Sequence, residues 1–264
     1  MPWPLPETDD ARLRLAKGYP YAAPGGSYLY RDGEITPMAD DIGPAVLQGR
    51  VPVIAHGSNR APEQIHRKFS HLSGAGSEIP VTRAVLGGHD VVYSAHMTRY
   101  GAVSATLHAA PGTRVTVFVT WLTEAQLPRM HETELGLGNY AYGRMTGIDL
   151  AVEGGPHLGA AFAYLSVHGC LADPEAEGAP LALAAVPAED RRHRAVHQES
   201  ALAVLRDRHE PEAELDGLIL TAIADTAKRR RLIETLQAAA VPWEVPGFEM
   251  ILRHSGRQAG NASS

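Results

Sequence analysis

The sequence has only one cysteine and no long apolar run, and each absence excludes a class of protein. A single cysteine, Cys170, excludes an internal disulfide and favours a reducing compartment, and its apolar surroundings, AYLSVHGC, predict a buried structural thiol. No apolar run approaches the roughly 20 residues that a membrane-spanning helix needs. The first ten residues, MPWPLPETDD, lack the positively charged region that leads a secretory signal. We therefore expect a cytoplasmic protein with no membrane partner.

Clustered positive charge is also scarce. The chain has 24 Lys and Arg against 30 Asp and Glu, and its net charge of -6 argues against nucleic-acid binding. The one basic run, Lys228 to Arg231, lies in a helical pattern near Asp225 and Glu234. It is typical of a solvated helix face, and a binding patch is the alternative.

Common catalytic and metal-binding motifs are missing too. There is no GxSxG, Walker A or HExxH sequence, and the glycine-rich SGAGSE at residues 73–78 follows no convincing strand, so it is interpreted as a loop. His193 and His197 are one helical turn apart and could share a metal, but no third ligand is in register. Solvated helix histidines are the alternative. We expect no metal and no cofactor.

The order of strand and helix patterns indicates four regions. Residues 1–49, rich in Pro, Gly and Tyr, predict an N-terminal arm packed on the main body. Residues 50–186 predict a strand-rich core, residues 187–253 a helical extension that begins near Glu189, and residues 254–264 a disordered tail. The fold class is therefore α+β. The apolar faces of the extension are large enough for self-association, so a homodimer fits this organisation.

Within the core, several segments have clear local signals. VPVIAH and RVTVFVTWL predict strands, and VTRAVLGG and HDVVYSAH predict two strands around a Gly-Gly turn. Thr123 and Gln126 have capping-box spacing, and Pro128 suits the start of the helix that follows.

Two stretches remain as candidate sites. In AHGSN, Gly57 and Ser58 leave backbone N–H groups accessible before a helix, which favours a carboxylate or phosphate ligand. A plain strand-to-helix turn in which Asn59 bonds locally is the alternative. In RMHETELGLGNYAYGRM, Glu132 and Glu134 lie at a helix end, where the dipole disfavours carboxylates. Such groups are exposed, paired or functional.

Taken together, the landmarks VIAHGSNR, ATLHAAPG and LPRMHETELGLGNYAYGRM resemble the γ-glutamylcyclotransferase-like family over roughly residues 50–170. Gly57, Ser58 and Asn59 match the family's Tyr-Gly-Ser-Asn loop, with His56 at the tyrosine position and Arg60 where a small apolar residue is usual. The alignment places Glu134 at the position of the catalytic glutamate.

The resemblance implies a fold, a reaction and a set of residues. The fold would be a mixed β-barrel-like sheet with flanking helices. The reaction would be cyclisation of a γ-glutamyl amide to 5-oxoproline with release of an amine, without metal or cofactor. Glu134 would be the general acid/base, and the substrate, which carries a free carboxylate, would contact the residues His56, Gly57, Ser58, Asn59, Arg60, Tyr140 and Tyr142.

Two other readings stay open. A non-catalytic protein of the same fold would bind a small anion or a partner protein. Amide hydrolysis on the same scaffold is a third reading. The position of Glu134 distinguishes the enzyme from the binding protein. A catalytic site requires the Glu134 carboxylate to lie in a pocket beside the Gly57–Asn59 loop.

Overall fold

A computed structural model describes residues 4–39 and 42–253 of the chain. The segment for which a disordered tail is predicted, 254–264, lies outside the described residues. In the described part, eleven strands form one sheet, and seven α-helices pack around it.

The strands follow one another along the chain as a short hairpin, a single strand, two long hairpins and four shorter strands. Strands β1 (Tyr28–Arg31) and β2 (Glu34–Pro37) form a short hairpin, and β3 (Val51–Ala55) opens the core. Next come β4 (Ile79–Met97) with β5 (Val103–Leu122), and then β6 (Tyr140–Val152) with β7 (His157–Ser166). Short strands β8 (Ala182–Leu183), β9 (Ala188–Glu189) and β10 (Ala195–Val196) follow, and β11 (Phe248–Arg253) is last.

Five of these strands close into a ring. The pairing order β4-β5-β3-β7-β6 returns to β4 because Ala84 to Gly87 pair with Val152 to Asp149. Strand β3 is antiparallel to β5 and parallel to β7, so the sheet is mixed. The fold is α+β with a barrel-like sheet, as expected.

Seven α-helices accompany the sheet in the described part of the chain. They are α1 (Asp9–Lys17), α2 (Pro44–Leu47), α3 (Pro62–Phe69), α4 (Leu127–Leu135), α5 (Gln198–His209), α6 (Leu215–Ala224) and α7 (Thr226–Ala238). Helix α4 has Pro128 in its first turn, as its sequence predicts. Of the predicted capping box only one half forms: the Gln126 side chain accepts a 3.0 Å hydrogen bond from the Thr123 backbone N–H, whereas the N-cap is Gln126 and not Thr123. None of the helices in the described ranges is both long and apolar enough to cross a bilayer.

Three local expectations are wrong. The Gly87–Gly88 pair makes an irregularity inside the single strand β4, because the pairing with β5 shifts register there and continues. Residues 189–196 are not helical, and α5 begins only at Gln198. The predicted helical extension also contains a strand, since β11 pairs with β6.

The N-terminal arm contributes to both main clusters of buried residues. Tyr28 and Tyr30 of β1 pack with Ile65 and Phe69 of α3 in one cluster. Ala16 and Tyr19 belong to the larger cluster, which combines residues of the strands with residues of α5, α6 and α7. The arm is therefore part of the folded core, and it brings Tyr19 to the loop that follows β3.

Candidate functional site

The loop after β3 is held tightly against the N-terminal arm. A short 3₁₀ turn, Ser58–Arg60, connects β3 to α3. A Cβ atom on Gly57 would lie 2.5 Å from the hydroxyl oxygen of Tyr19, which also accepts a 3.0 Å hydrogen bond from the Ala105 N–H. Position 57 therefore favours glycine, because a side chain there would collide with the Tyr19 hydroxyl. Tyr19 in turn links the loop to β5 through its hydrogen bond with Ala105.

A cavity of about 470 Å³ opens beside this loop. Its wall includes Ser58, Glu134 and Tyr140, so three of the predicted site residues share one cavity. The other lining residues are Tyr19, Gln64, Lys68, His96, Thr98, Arg99, Tyr100, Arg129, Glu132, Thr133, Gly136, Leu137 and Asn139. This cavity is called the Glu134 cavity below.

Glu134 lies near the end of α4 with its carboxylate turned into the cavity. Its side chain is only 15% exposed, whereas that of Glu132 on the same helix is 60% exposed and pairs with Arg129. The Asn59 side-chain amide donates a 3.2 Å hydrogen bond to Oε1 of Glu134. The loop and the glutamate that the sequence landmarks single out are therefore in direct contact.

Lys68 is a functional candidate that sequence reasoning missed. Its ammonium, on α3, forms an ion pair with Oε1 of Glu134, and the lysine side chain is 5% exposed. Nζ also lies 3.4 Å from the sulfur of Met130. The sequence did contain a signal for this residue, because Gln64 and Lys68 are spaced so that they lie on one face of a helix. Both side chains line the cavity.

Two tyrosines complete the polar wall. Burial, with a further contribution from the charge of Glu134, raises the pKa of Tyr140. Burial, with a smaller contribution from the charge of Glu134, raises the pKa of Tyr100 to about 12, and the neighbouring Tyr21 hydroxyl offsets part of that rise. Both hydroxyls therefore stay protonated at neutral pH and can donate hydrogen bonds to a ligand.

Arg99 brings an unneutralised positive charge to the same cavity. It lies in the turn between β4 and β5 and is half-buried. Within residues 4–39 and 42–253 no carboxylate pairs with its guanidinium. No periodic sequence pattern marks it, because it lies in a turn.

The remaining predicted residues lie elsewhere. Tyr142 packs in an aromatic cluster, with its ring stacked on Phe162 at 5.3 Å and in edge contact with His131 at 4.6 Å. His56 is buried, and burial lowers its pKa to about 4, so the ring is neutral at pH 7. Arg60 is buried as well, but it lines a different cavity.

The described residues contain no group of three or more His, Cys, Asp or Glu side chains arranged to hold a metal ion. Cys170 is buried, and burial raises the pKa of its thiol to about 12, which makes it a poor nucleophile. The side chains that line the Glu134 cavity can supply hydrogen bonds, charge and proton transfer.

No protein-family model and no curated protein matches this sequence. Solved structures that are similar to it include the following three. A γ-glutamyl cyclotransferase is 20% identical, with 45% of this chain and 67% of that chain covered at a TM-score of 0.35. An uncharacterized protein from Homo sapiens is 16% identical, with 66% and 88% covered at a TM-score of 0.37. YkqA from Bacillus subtilis is 15% identical, with 55% and 58% covered at a TM-score of 0.33.

The first of these structures carries the name of the family that the sequence landmarks resemble. All three TM-scores lie below 0.5, so these similarities carry no weight for function. What the chain does has to be inferred from its own residues.

Proposed function

We propose that this protein cyclises a γ-glutamyl amide to 5-oxoproline and releases an amine, with Glu134 as the general acid/base. The observation that carries the proposal is the placement of the Glu134 carboxylate, shielded in a cavity and bonded to Asn59 of the loop after β3. That placement is the one that separates a catalytic site from a surface glutamate.

The reaction is intramolecular, so positioning does most of the work. The substrate's α-nitrogen attacks its own γ-carbonyl carbon, a new C–N bond forms, and the original amide C–N bond breaks. Holding the two ends together can be worth about 7–11 kcal/mol of the barrier. The first residues of the Ser58–Arg60 turn have N–H groups without acceptors inside the turn, and with Arg99 they offer a place for the substrate's α-carboxylate.

Proton transfer falls to Glu134. The carboxylate accepts a proton from the attacking nitrogen and returns one to the leaving amine, so no proton is gained or lost overall. A positioned acid/base of this kind typically contributes 10²–10⁴-fold in rate, on the order of 3–5 kcal/mol. Asn59 and Lys68 fix the orientation of the carboxylate. In this proposal Tyr140, which lines the same cavity, donates a hydrogen bond to the oxygen of the attacked carbonyl.

The test is turnover of a panel of γ-glutamyl amides, glutathione included, with detection of 5-oxoproline. We expect at least one member to give product and Glu134→Gln to lose at least about 100-fold in kcat. Glu132→Gln is the matched control, because Glu132 is on the same helix but 60% exposed and paired with Arg129. Full turnover by Glu134→Gln would remove Glu134 from the mechanism.

A binding protein of the same fold is the second candidate, and the Lys68–Glu134 ion pair favours it. The pair neutralises the carboxylate that catalysis needs, as in a site that only holds a ligand. Under this reading calorimetry detects binding of a panel member while no panel member yields 5-oxoproline.

A further inference from the structure

Arg60 has a buried charge without a counter-charge. The residue is 6% exposed, and one of its Nη atoms donates a 3.0 Å hydrogen bond to the carbonyl oxygen of Ala185. Its Nε is buried and has no hydrogen-bond partner, and no carboxylate in the described part of the chain pairs with the guanidinium. Burying an unpaired charge is costly, so such a group is normally neutralised by a partner or a ligand.

The guanidinium borders a second cavity, of about 620 Å³, which is called the Arg60 cavity below. This cavity lies between the N-terminal arm, from Lys17 to Gly25, and strands β4 and β5. Tyr19 lines both this cavity and the Glu134 cavity, so the two cavities are neighbours that share one wall residue.

The other charges around the Arg60 cavity are already paired. Lys17 bonds to Glu199 at 2.8 Å and to Asp216 at 2.6 Å, and Arg83 forms an ion pair with Glu153. Glu199 is the only carboxylate on this wall among the described residues, and Lys17 holds it. The Arg60 cavity therefore has one free charge, and it is positive.

The rest of the wall is largely apolar or aromatic. Its apolar members are Tyr19, Pro20, Tyr21, Ala22, Ala23, Pro24, Phe118, Ala185 and Pro187. A single guanidinium matches one negative charge, and its planar fork suits a carboxylate. The apolar wall suits a hydrocarbon or aromatic body attached to that carboxylate.

We propose that the Arg60 cavity is a binding site for a monocarboxylate with an apolar or aromatic body. The carboxylate accepts hydrogen bonds from the free nitrogens of Arg60, and the body of the ligand packs on the aromatic wall. This site is separate from the proposed reaction and does not depend on it. Arg60 belongs to the same 3₁₀ turn as Ser58 and Asn59, and Asn59 is hydrogen-bonded to Glu134. A ligand in the Arg60 cavity would therefore contact that turn.

The experiment uses the full-length protein labelled with ¹⁵N and follows the side-chain Nε–H resonance of Arg60. Benzoate is the probe, benzamide is the neutral molecule of the same shape, and inorganic phosphate is the competing oxyanion. The Arg60 resonance is assigned as the one that is missing from the spectrum of Arg60→Met. Arg83→Met is the matched control, since it removes a cation of the same cavity that already has an acid partner.

We expect benzoate to shift the Arg60 resonance saturably and to raise the Tm of the wild type and of Arg83→Met. Benzamide should bind at least about tenfold more weakly, and Arg60→Met should lose the rise in Tm. An unmoved Arg60 resonance at saturating benzoate, or equal binding of benzamide, would overturn the site. Tighter binding of phosphate than of benzoate would overturn its assignment to carboxylates. If Arg60→Met does not fold, Arg60→Lys, which keeps the positive charge but has no guanidinium Nε–H, assigns the resonance instead.

Discussion

The Lys68–Glu134 ion pair leads to a quantitative prediction about stability. Removing one partner of a buried ion pair typically costs about 3–5 kcal/mol, because the other charge stays buried without compensation. Glu134 is 15% exposed and borders a cavity of about 470 Å³, where water can solvate part of the remaining charge. We therefore expect Glu134→Gln to lower the free energy of unfolding by about 2–3 kcal/mol, toward the lower end of that range.

The opposite single variant should cost less. Lys68→Met leaves the Glu134 carboxylate with the Asn59 amide and cavity water as partners, so we expect a loss of about 1–2 kcal/mol. The double variant contains neither charge, and its loss should be smaller than the sum of the single losses by about 2 kcal/mol. The coupling energy is therefore the quantity to measure.

Urea unfolding of the four proteins gives this coupling, provided that the m value stays the same. Glu132→Gln serves as a surface control, because its exposed pair with Arg129 should be worth less than about 1 kcal/mol. If the losses of the two single variants add to within about 0.5 kcal/mol in the double variant, the two side chains do not interact as described.

Three further predictions concern the surroundings of the site. Gly57→Ala should lower the free energy of unfolding by about 1–3 kcal/mol, because the new methyl group meets the Tyr19 hydroxyl. The loss should be smaller in a Tyr19→Phe background, measured against Tyr19→Phe alone because that change also removes the acceptor of the Ala105 N–H; equal losses in the two backgrounds in urea unfolding would contradict this. His56 has a folded-state pKa of about 4, below its unfolded value of 6.5, so its contribution to stability is present above pH 6.5 and is lost as pH falls toward 4. Between pH 7 and pH 4, the free energy of unfolding of His56→Gln should therefore fall by about 3 kcal/mol less than that of the wild type. Equal falls in two series of urea unfolding experiments would refute the lowered pKa of His56. Asp90→Asn should cost about 3 kcal/mol in urea unfolding, because the fully buried carboxylate is held by two nitrogens of Arg191, whereas Asp207→Asn, at an exposed pair, should cost less than about 1 kcal/mol.

Much of the core could be predicted because its signals are local. The apolar run before Gly57 identifies β3, Pro62 is the first residue of α3, and Pro128 marks the first turn of α4. The Thr123–Gln126 spacing was less accurate, because the N-cap of α4 is Gln126 and not Thr123. Gly87 and Gly88 misled the prediction, because a glycine pair in sequence is equally compatible with a turn and with an irregularity inside a strand.

The site was only partly predictable, because its members come from distant parts of the chain. Glu134 and Ser58 were found through ordered landmarks, and they share a cavity. Tyr142 was grouped with Tyr140 because alternate residues of a strand share a face. The two tyrosines nevertheless have different surroundings, since Tyr140 lines the cavity and Tyr142 packs on Phe162. Arg60 follows the Ser58–Asn59 pair directly, yet the 3₁₀ turn directs it to the other cavity.

The position of Tyr19 has a consequence for any shortened form of this protein. The region that resembles a known family begins near residue 50, so sequence similarity alone would suggest 50 as a starting point for a minimal protein. Such a protein would lack Tyr19, the residue that lines both cavities and contacts Gly57. A protein that starts at residue 50 would therefore lose one wall residue of each cavity together with the side chain packed against the loop after β3.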